Sequence, residues 1–398
     1  MTDSVTVEAP GKLMIAGEYA VLTPGQPAIV TAVDRCVTVT ATRPQHTGSD
    51  VELVTDLCDR PVPLRRTRDG LCAVQQGDNA YLAGPLAHLV RVVETVDALH
   101  AELARPPARV RLEACSALHH DGRKLGLGSS GAVTVAATRA LLAFVGMPMT
   151  AEAHFRIALL ASISVDHGPS GADLAASTWP DGWVHYSAPD RTALLRYRRE
   201  HGVLATLHAP WSGLSVRVLP PPSTLTLVAG WSRAPASTTD RVRQLRDCCW
   251  WQSHSRRCFQ HRSAIGVDAM AHALEQHDDA HVLSAFRDSG TVLAHLDREV
   301  GLRIFTPALT ALCEAARKCG APAKPSGAGG GDCGIALLPA GTDREALQRL
   351  WAQAGITPLA LRSAAGARPA SVPMSQPIGP RPSDGLRRAF TAPTVRNA

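Results

Sequence analysis

The run Gly126-Leu127-Gly128-Ser129-Ser130-Gly131 carries the clearest chemistry in the chain, because it stands directly before a segment with helical periodicity. A glycine-rich turn opening a helix offers unpaired backbone N–H groups, the positive end of the helix dipole and close approach of the backbone. A phosphate suits such a place. Ser129 and Ser130 add hydroxyls that can cap the helix, bind a phosphate oxygen or reach a divalent cation. The plainer alternative is an N-cap whose glycines serve only a tight turn. The pattern is neither the lysine-bearing P-loop nor the dinucleotide fingerprint. Two more runs have related character: Pro10-Gly11-Lys12 near the start, and Lys324-Pro325-Ser326-Gly327-Ala328-Gly329-Gly330-Gly331-Asp332 near the end.

These loops need elements to hold them. Val5 to Val7, Ala28 to Val33 and Val37 to Thr40 read as strands, with Pro10 to Tyr19 as a loop between the first two. A helical stretch near Tyr81 to Leu103 precedes a strand at Ala108 to Leu112. The helix after Gly128 places Val133, Ala137, Ala140, Leu141 and Phe144 on one face, and Gly146 and Pro148 stop it. Pro220-Pro221-Pro222 separates strand Ser215 to Leu219 from strand Leu225 to Ala229. Beyond it come helices at about 241–276 with breaks, 280–300 and 307–319, the late glycine loop, strand Cys333 to Leu338, and a helix from Asp343 to Ala354. The expected division is residues 1–219, 223–365 and a disordered Pro/Arg-containing tail, 366–398.

The composition, 45% hydrophobic and 19% charged over 398 residues, is that of an ordinary globular chain with room for two domains. The net charge of +6 lies mostly in the tail: five arginines against one aspartate follow Gly366, leaving only +2 before it. With 4% aromatics there are few residues for base stacking, so nucleic acid is not an expected partner. No apolar run reaches the roughly 20 residues of a bilayer span and the N-terminus lacks leader features, so a cytoplasmic chain with no membrane partner is expected. The ten cysteines include no Cys-x-x-Cys and read as reduced thiols, and His119-His120 reads as a solvated pair.

In order and spacing, Pro10-Gly11-Lys12, Gly126 to Ser130 and Ser326 to Gly331 resemble the three motifs of the GHMP kinases, and the likeness spans nearly all of residues 5–365. Within that family the wording is similar to the bacterial phosphomevalonate kinases: Gly17-Glu18-Tyr19, Ser170-Gly171-Ala172-Asp173, Pro235-Ala236-Ser237-Thr238-Thr239, and the late loop with its flanking Lys324 and Asp332. The resemblance implies an α+β fold, with an N-terminal domain like ribosomal protein S5 domain 2 and a ferredoxin-like C-terminal domain. It implies a phosphotransferase that uses ATP and Mg²⁺ on a small-molecule acceptor, phosphomevalonate before others, in isoprenoid synthesis. Homodimerisation stays open.

By the same resemblance, Gly126, Leu127, Gly128, Ser129, Ser130 and Gly131 would hold the triphosphate. Lys12 and Asp173 would be catalytic, with Ser130 and Asp173 on the metal. The acceptor would meet Lys12, Glu18, Tyr19, Ser170, Gly171, Ser237, Thr238, Lys324, Ser326, Gly327, Ala328 and Gly329. An acceptor phosphate is mostly dianionic at pH 7 and already nucleophilic, so cations at the meeting point matter more than a strong base. For Asp173 the alternative is a helix cap or structural carboxylate. Asp166-His167-Gly168-Pro169, Trp179 to Trp183 and Arg233 depart from the expected small residues, leaving room for a reshaped acceptor pocket. The competing readings are a relative with another acidic or phosphorylated acceptor, including mevalonate, a diphosphomevalonate decarboxylase, and a non-catalytic sensor of the same fold.

Overall fold

The computed structural model describes residues 3–46, 48–120 and 123–364; the tail expected at 366–398 lies outside the described residues. Strand β1 (Ser4–Ala16) pairs antiparallel with β2 (Pro27–Thr42), from Ser4 opposite Thr42 to Ala16 opposite Ile29. The two short strands expected in the later segment are one long strand. The loop expected at Pro10 to Tyr19 is corrected too: Pro10-Gly11-Lys12 lie inside β1, and the pairing shifts register between Pro10 and Lys12. Proline has no N–H for the ladder, so the strand bulges there instead of ending. The turn comes later, after Ala16.

The chain continues through β3 (Val51–Thr55), β4 (Val62–Thr67), β5 (Gly70–Ala73), α1 (Asn79–Ala83), α2 (Ala87–Glu102) and β6 (Val110–Ser116). A small hairpin, β7 (His119–His120) with β8 (Arg123–Lys124), leads into α3 (Ser129–Phe144). Then come α4 (Ala151–Val165), α5 (Ala172–Thr178), β9 (Trp183–Ser187), α6 (Arg191–His208) and β10 (Ser215–Leu219). The sheet order is β10-β9-β2-β6-β3-β4-β5, with β1 also on β2. Helix α3 lies on β1 and β2 and is flanked by α2, α4 and α5. The expected single apolar face is therefore too narrow. Ala132, Val135, Ala136 and Leu142 are buried as well as Ala137, Ala140, Leu141 and Phe144, and each large apolar side chain contributes about 1.5–3 kcal/mol. That packing fixes the end of α3 where the glycine loop sits.

After the three prolines follow β11 (Thr226–Trp231), α7 (Thr238–Asp247), α8 (His254–Glu275), α9 (Asp279–Val300), α10 (Pro307–Lys318), β12 (Ala323–Pro325), β13 (Cys333–Leu338), α11 (Arg344–Gln353) and β14 (Thr357–Leu359). The second sheet has the order β12-β13-β11-β14, antiparallel throughout. Counted within this half the order is 2-3-1-4, the ferredoxin-like arrangement. Trp351 is fully buried between α11 and α10, donating its indole N–H to Leu312 O at 3.1 Å. Buried residues of β11, β13 and α8 join the same apolar cluster as the first sheet. The described chain ends by returning to β2, where Ala364 N donates to Ala32 O at 3.0 Å. No described helix is long and apolar enough to cross a membrane.

Candidate active site

The bulge in β1 turns Lys12 toward the glycine loop. Its backbone N–H donates to Leu127 O at 2.8 Å, and its ammonium reaches Gly126 O at 3.4 Å. Gly11 permits this approach, since a Cβ there would stand 2.8 Å from Leu127 O. Gly128, in the left-handed region at φ 76°, is the N-cap of α3, and no side chain caps the helix. The first N–H groups of α3 are thus left to an external acceptor, next to a lysine. Asp173 faces the same point: a Cβ on Gly131 would lie 2.5 Å from its Oδ2. The alternative reading of Asp173 as a helix cap has little structural basis, because Gly171 is the N-cap of α5 and Ser170 Oγ accepts from Ala172 N at 3.3 Å.

The late loop is sewn to β1. Ser326 Oγ accepts from Met14 N at 2.9 Å and donates to Met14 O at 3.1 Å, while Tyr19 OH donates to Ala328 O at 2.5 Å. Lys324 is fully buried and ion-paired with Glu18, and it also donates to Pro325 O at 3.0 Å. Burial pushes the Lys324 ammonium down from the usual lysine range, against the pull of Glu18. The geometry thus uses Lys324 and the Ser326 hydroxyl as pins between the two halves; for Lys324 this departs from its expected place on the acceptor, while Ser326 also lines the cleft. Breaking one side of a buried pair strands a charge, at a cost of about 3–5 kcal/mol. Lys324→Ala is accordingly expected to lower the unfolding free energy by about that much, and Lys324→Met with Glu18→Gln to recover more than half. Urea unfolding of both variants and the parent measures this.

One cleft of about 500 Å³ collects Lys12, Glu18, Tyr19, Gly126, Gly128, Ser129, Ser130, Ser170, Asp173, Ser237, Thr238, Ser326, Gly327 and Ala328 on its wall. Leu127, Gly131, Gly171, Lys324 and Gly329 are not on that wall. They act from behind it: Gly171 takes φ 84° against Leu159 and Tyr186, and Gly329 packs on Ile304. Ser237 caps α7, its Oγ accepting from Asp240 N at 3.2 Å. A second cavity of about 270 Å³ is also lined by His88, Lys124, Ser129 and Ser130, and extends to Asp56 and Ser116.

Sequence reasoning assigned no role to Asp332, His88 or Lys124, which line the cleft as well. The Asp332 carboxylate accepts from Ala236 N at 3.1 Å and lies against Gly126, so it ties the late loop to the glycine loop and to the segment before α7. Burial raises its pKa, opposed by the Ala236 N–H and by Lys12. Its place beside the glycine run was its only signal. His88 bonds Thr134 Oγ1 at 3.1 Å, and burial lowers its pKa, keeping the ring neutral. Arg233 adopts φ 61°, a conformation easy for glycine, and its Nε donates to Thr357 Oγ1 at 2.7 Å rather than to a group of the cleft. Asp166 binds Gly168 N at 2.8 Å and Thr239 Oγ1 at 3.1 Å, joining its loop to α7.

Residues 89–180 match the family model for the N-terminal domain of GHMP kinases, and residues 270–357 match that for the GHMP kinases C terminal. Over 366 residues the chain is 47% identical to a phosphomevalonate kinase of Streptomyces sp. (strain CL190), covering 91% of this chain and 97% of the relative. The chain belongs to the GHMP kinases. Phosphomevalonate kinase from Streptococcus pneumoniae, solved with phosphomevalonate and AMPPNP, superposes with a TM-score of 0.77 at 26% identity, covering 90% of this chain and 99% of that one. Lactococcus lactis galactokinase, solved with galactose, shares the fold at a TM-score of 0.65 and 11% identity, covering 92% of this chain and 95% of that one. This GHMP kinase therefore has the α+β fold of its family and is a phosphotransferase.

Proposed function

We propose that this GHMP kinase transfers the γ-phosphoryl group of ATP to the phosphate of phosphomevalonate, giving ADP and diphosphomevalonate. The observation that carries the reading is the convergence of Lys12, the uncapped start of α3 and Asp173 on one point of the cleft, beside a second cavity large enough for a nucleoside. The acceptor follows from the similarity to the Streptomyces and Streptococcus enzymes.

In this arrangement the base and sugar occupy the second cavity, and the phosphates lie on the N–H groups of Ser129 and Ser130 at the start of α3. An acceptor phosphate oxygen attacks the γ-phosphorus as the bond to the ADP oxygen breaks, so no proton has to leave the nucleophile. Lys12 offsets charge gathering on the transferred group. The donor set fits Mg²⁺: the Ser130 hydroxyl and the Asp173 carboxylate share the cleft, and this ion usually takes few protein ligands besides phosphate oxygens and water. Among the described residues no group of three or more His, Cys, Asp or Glu side chains could hold an ion unaided. When bound, Mg²⁺ would neutralise phosphate charge. Such an enzyme, working on charged metabolites and ATP, belongs in the cytoplasm.

The test is a coupled ADP-release assay with phosphomevalonate, mevalonate and homoserine. ADP release is expected with phosphomevalonate far above the others. Release led by mevalonate or homoserine, or by none of the three, overturns the proposed acceptor.

A further inference from the structure

The second cavity contains two imidazoles that the proposed transfer does not use, His88 from α2 and His119 from β7. The proton on the first is fixed by its neighbour. Thr134 is buried in α3, and its hydroxyl donates to Ser130 O at 2.6 Å. That uses its only proton, so at the 3.1 Å contact between Thr134 Oγ1 and His88 Nδ1 the imidazole is the donor. Burial keeps this ring neutral. A neutral imidazole that donates from Nδ1 has a bare lone pair on Nε2, and the His88 Nε2 atom has no hydrogen-bond partner among the described residues.

Such a nitrogen accepts a hydrogen bond, so it is of no use to the phosphate oxygens of a nucleotide, which also accept. Its position names a different partner. His88 lines both the main cleft and the second cavity, so it stands where the two join. The phosphates lie on one side of that junction, at the start of α3, and the base lies on the other, towards Thr55, Asp56 and Leu57. Between them a nucleotide carries its ribose, whose hydroxyls are donors.

His119 approaches the same place from the hairpin. Its cross-strand partner is Lys124, which also lines both cavities, and residues directly opposite in an antiparallel pair have Cβ atoms about 5 Å apart. The sequence reads His119 as solvated, but its Nε2 is buried with no partner among the described residues. A buried polar atom of this kind costs stability until a ligand answers it. Two unanswered imidazole nitrogens thus face the middle of the nucleotide, and a ribose has two hydroxyls to offer.

We infer that His88 and His119 each hold one ribose hydroxyl, His88 as the acceptor through Nε2, and so make the enzyme selective for ribonucleoside over deoxyribonucleoside triphosphates. The inference rests on the proposed placing of the nucleotide in the second cavity. Thr134 is a positioning residue in this scheme, since it acts only by holding the proton of His88 on Nδ1.

The test is calorimetric titration of the full-length protein with ATP, 2′-deoxyATP and 3′-deoxyATP, each with Mg²⁺. It needs no acceptor, so its outcome does not depend on which acceptor the enzyme uses. The parent is expected to bind ATP about tenfold more tightly than either analogue, the scale of one hydrogen bond missing from a site built for it. His88→Phe keeps a ring and loses the acceptor; it should weaken ATP about tenfold and erase the preference over one analogue only, with kcat within about threefold. His119→Phe should erase the preference over the other. His88→Gln, whose amide oxygen can accept, should restore part of what His88→Phe loses. Thr134→Val releases the proton to either nitrogen; it should cut the same preference as His88→Phe by about threefold, and it decides the matter if His88→Phe does not fold. Equal weakening of all three nucleotides would make the histidines structural and overturn the inference, as would a parent that binds the three alike. A variant that shifts the ratio of ATP to GTP, and not that of ATP to the deoxy analogues, would put the histidines on the base and overturn it too. A parent that binds none of these nucleotides overturns the proposed placing of ATP, and this inference with it.

Discussion

Lys12→Met is expected to lower kcat by at least about a hundredfold while leaving ATP affinity within about tenfold, the signature of a charge that acts on the transition state. The geometry gives the reason. Lys12 is positioned by its backbone bond to Leu127, which the substitution preserves, and it lines the cleft with its ammonium at Gly126 O. The N–H groups at the start of α3 remain to bind the ground-state phosphates. Methionine keeps much of the stem that packs on Gly128, so the loop should not collapse. Single-turnover kinetics with phosphomevalonate, beside nucleotide titration of the variant, separates the two quantities. Turnover close to that of the parent would remove Lys12 from the chemistry.

How much of this was legible in the sequence depends on how local the cause is. The glycine loop before α3 was readable because its conformation follows from its own residues: glycines free to take positive φ, then a helix with clear periodicity. Several helices of the second half were readable for the same reason, since α9, α10 and α11 stop at Gly301, Gly320 and Gly355, whereas the ferredoxin-like arrangement itself came only from the resemblance of the three motifs. Lys324 and Ser326 were placed on the acceptor by the resemblance of their motif, whose glycines suggest an open loop. What buries them is β1 and the turn that follows it, more than 300 residues earlier in the chain, and no local pattern carries that information. The bulge at Pro10 was missed because proline and glycine together usually mark a turn. Only the pairing partner β2, which continues past it, shows otherwise. Asp332 is the opposite case. It sat in plain view beside the third motif, but its contact with Gly126 depends on how two sheets pack.

A phosphate dianion as acceptor also predicts what the remaining carboxylate should do. Phosphomevalonate is expected to exceed mevalonate in kcat/KM by at least about a thousandfold, because losing the acceptor phosphate removes several charge-assisted contacts worth about 1.5–3 kcal/mol each. Asp173→Asn separates two roles within that comparison. If Asp173 removed a proton, the variant would lose the same large factor as a kinase whose acceptor is an alcohol, where a base contributes about a hundredfold or more. A dianionic nucleophile has no such proton to give. In the cleft Asp173 lies against the start of α3 with Ser130 on the same wall, a place that suits organising Mg²⁺ and the phosphates. The variant is therefore expected to show a raised Mg²⁺ requirement, and near-saturating Mg²⁺ should restore most of the lost rate. Titration of Mg²⁺ at fixed ATP for Asp173→Asn and the parent measures it. A deep loss that no Mg²⁺ concentration relieves, accompanied by a new pH dependence of kcat, would assign Asp173 to proton transfer and point to a hydroxyl as the group that accepts the phosphoryl.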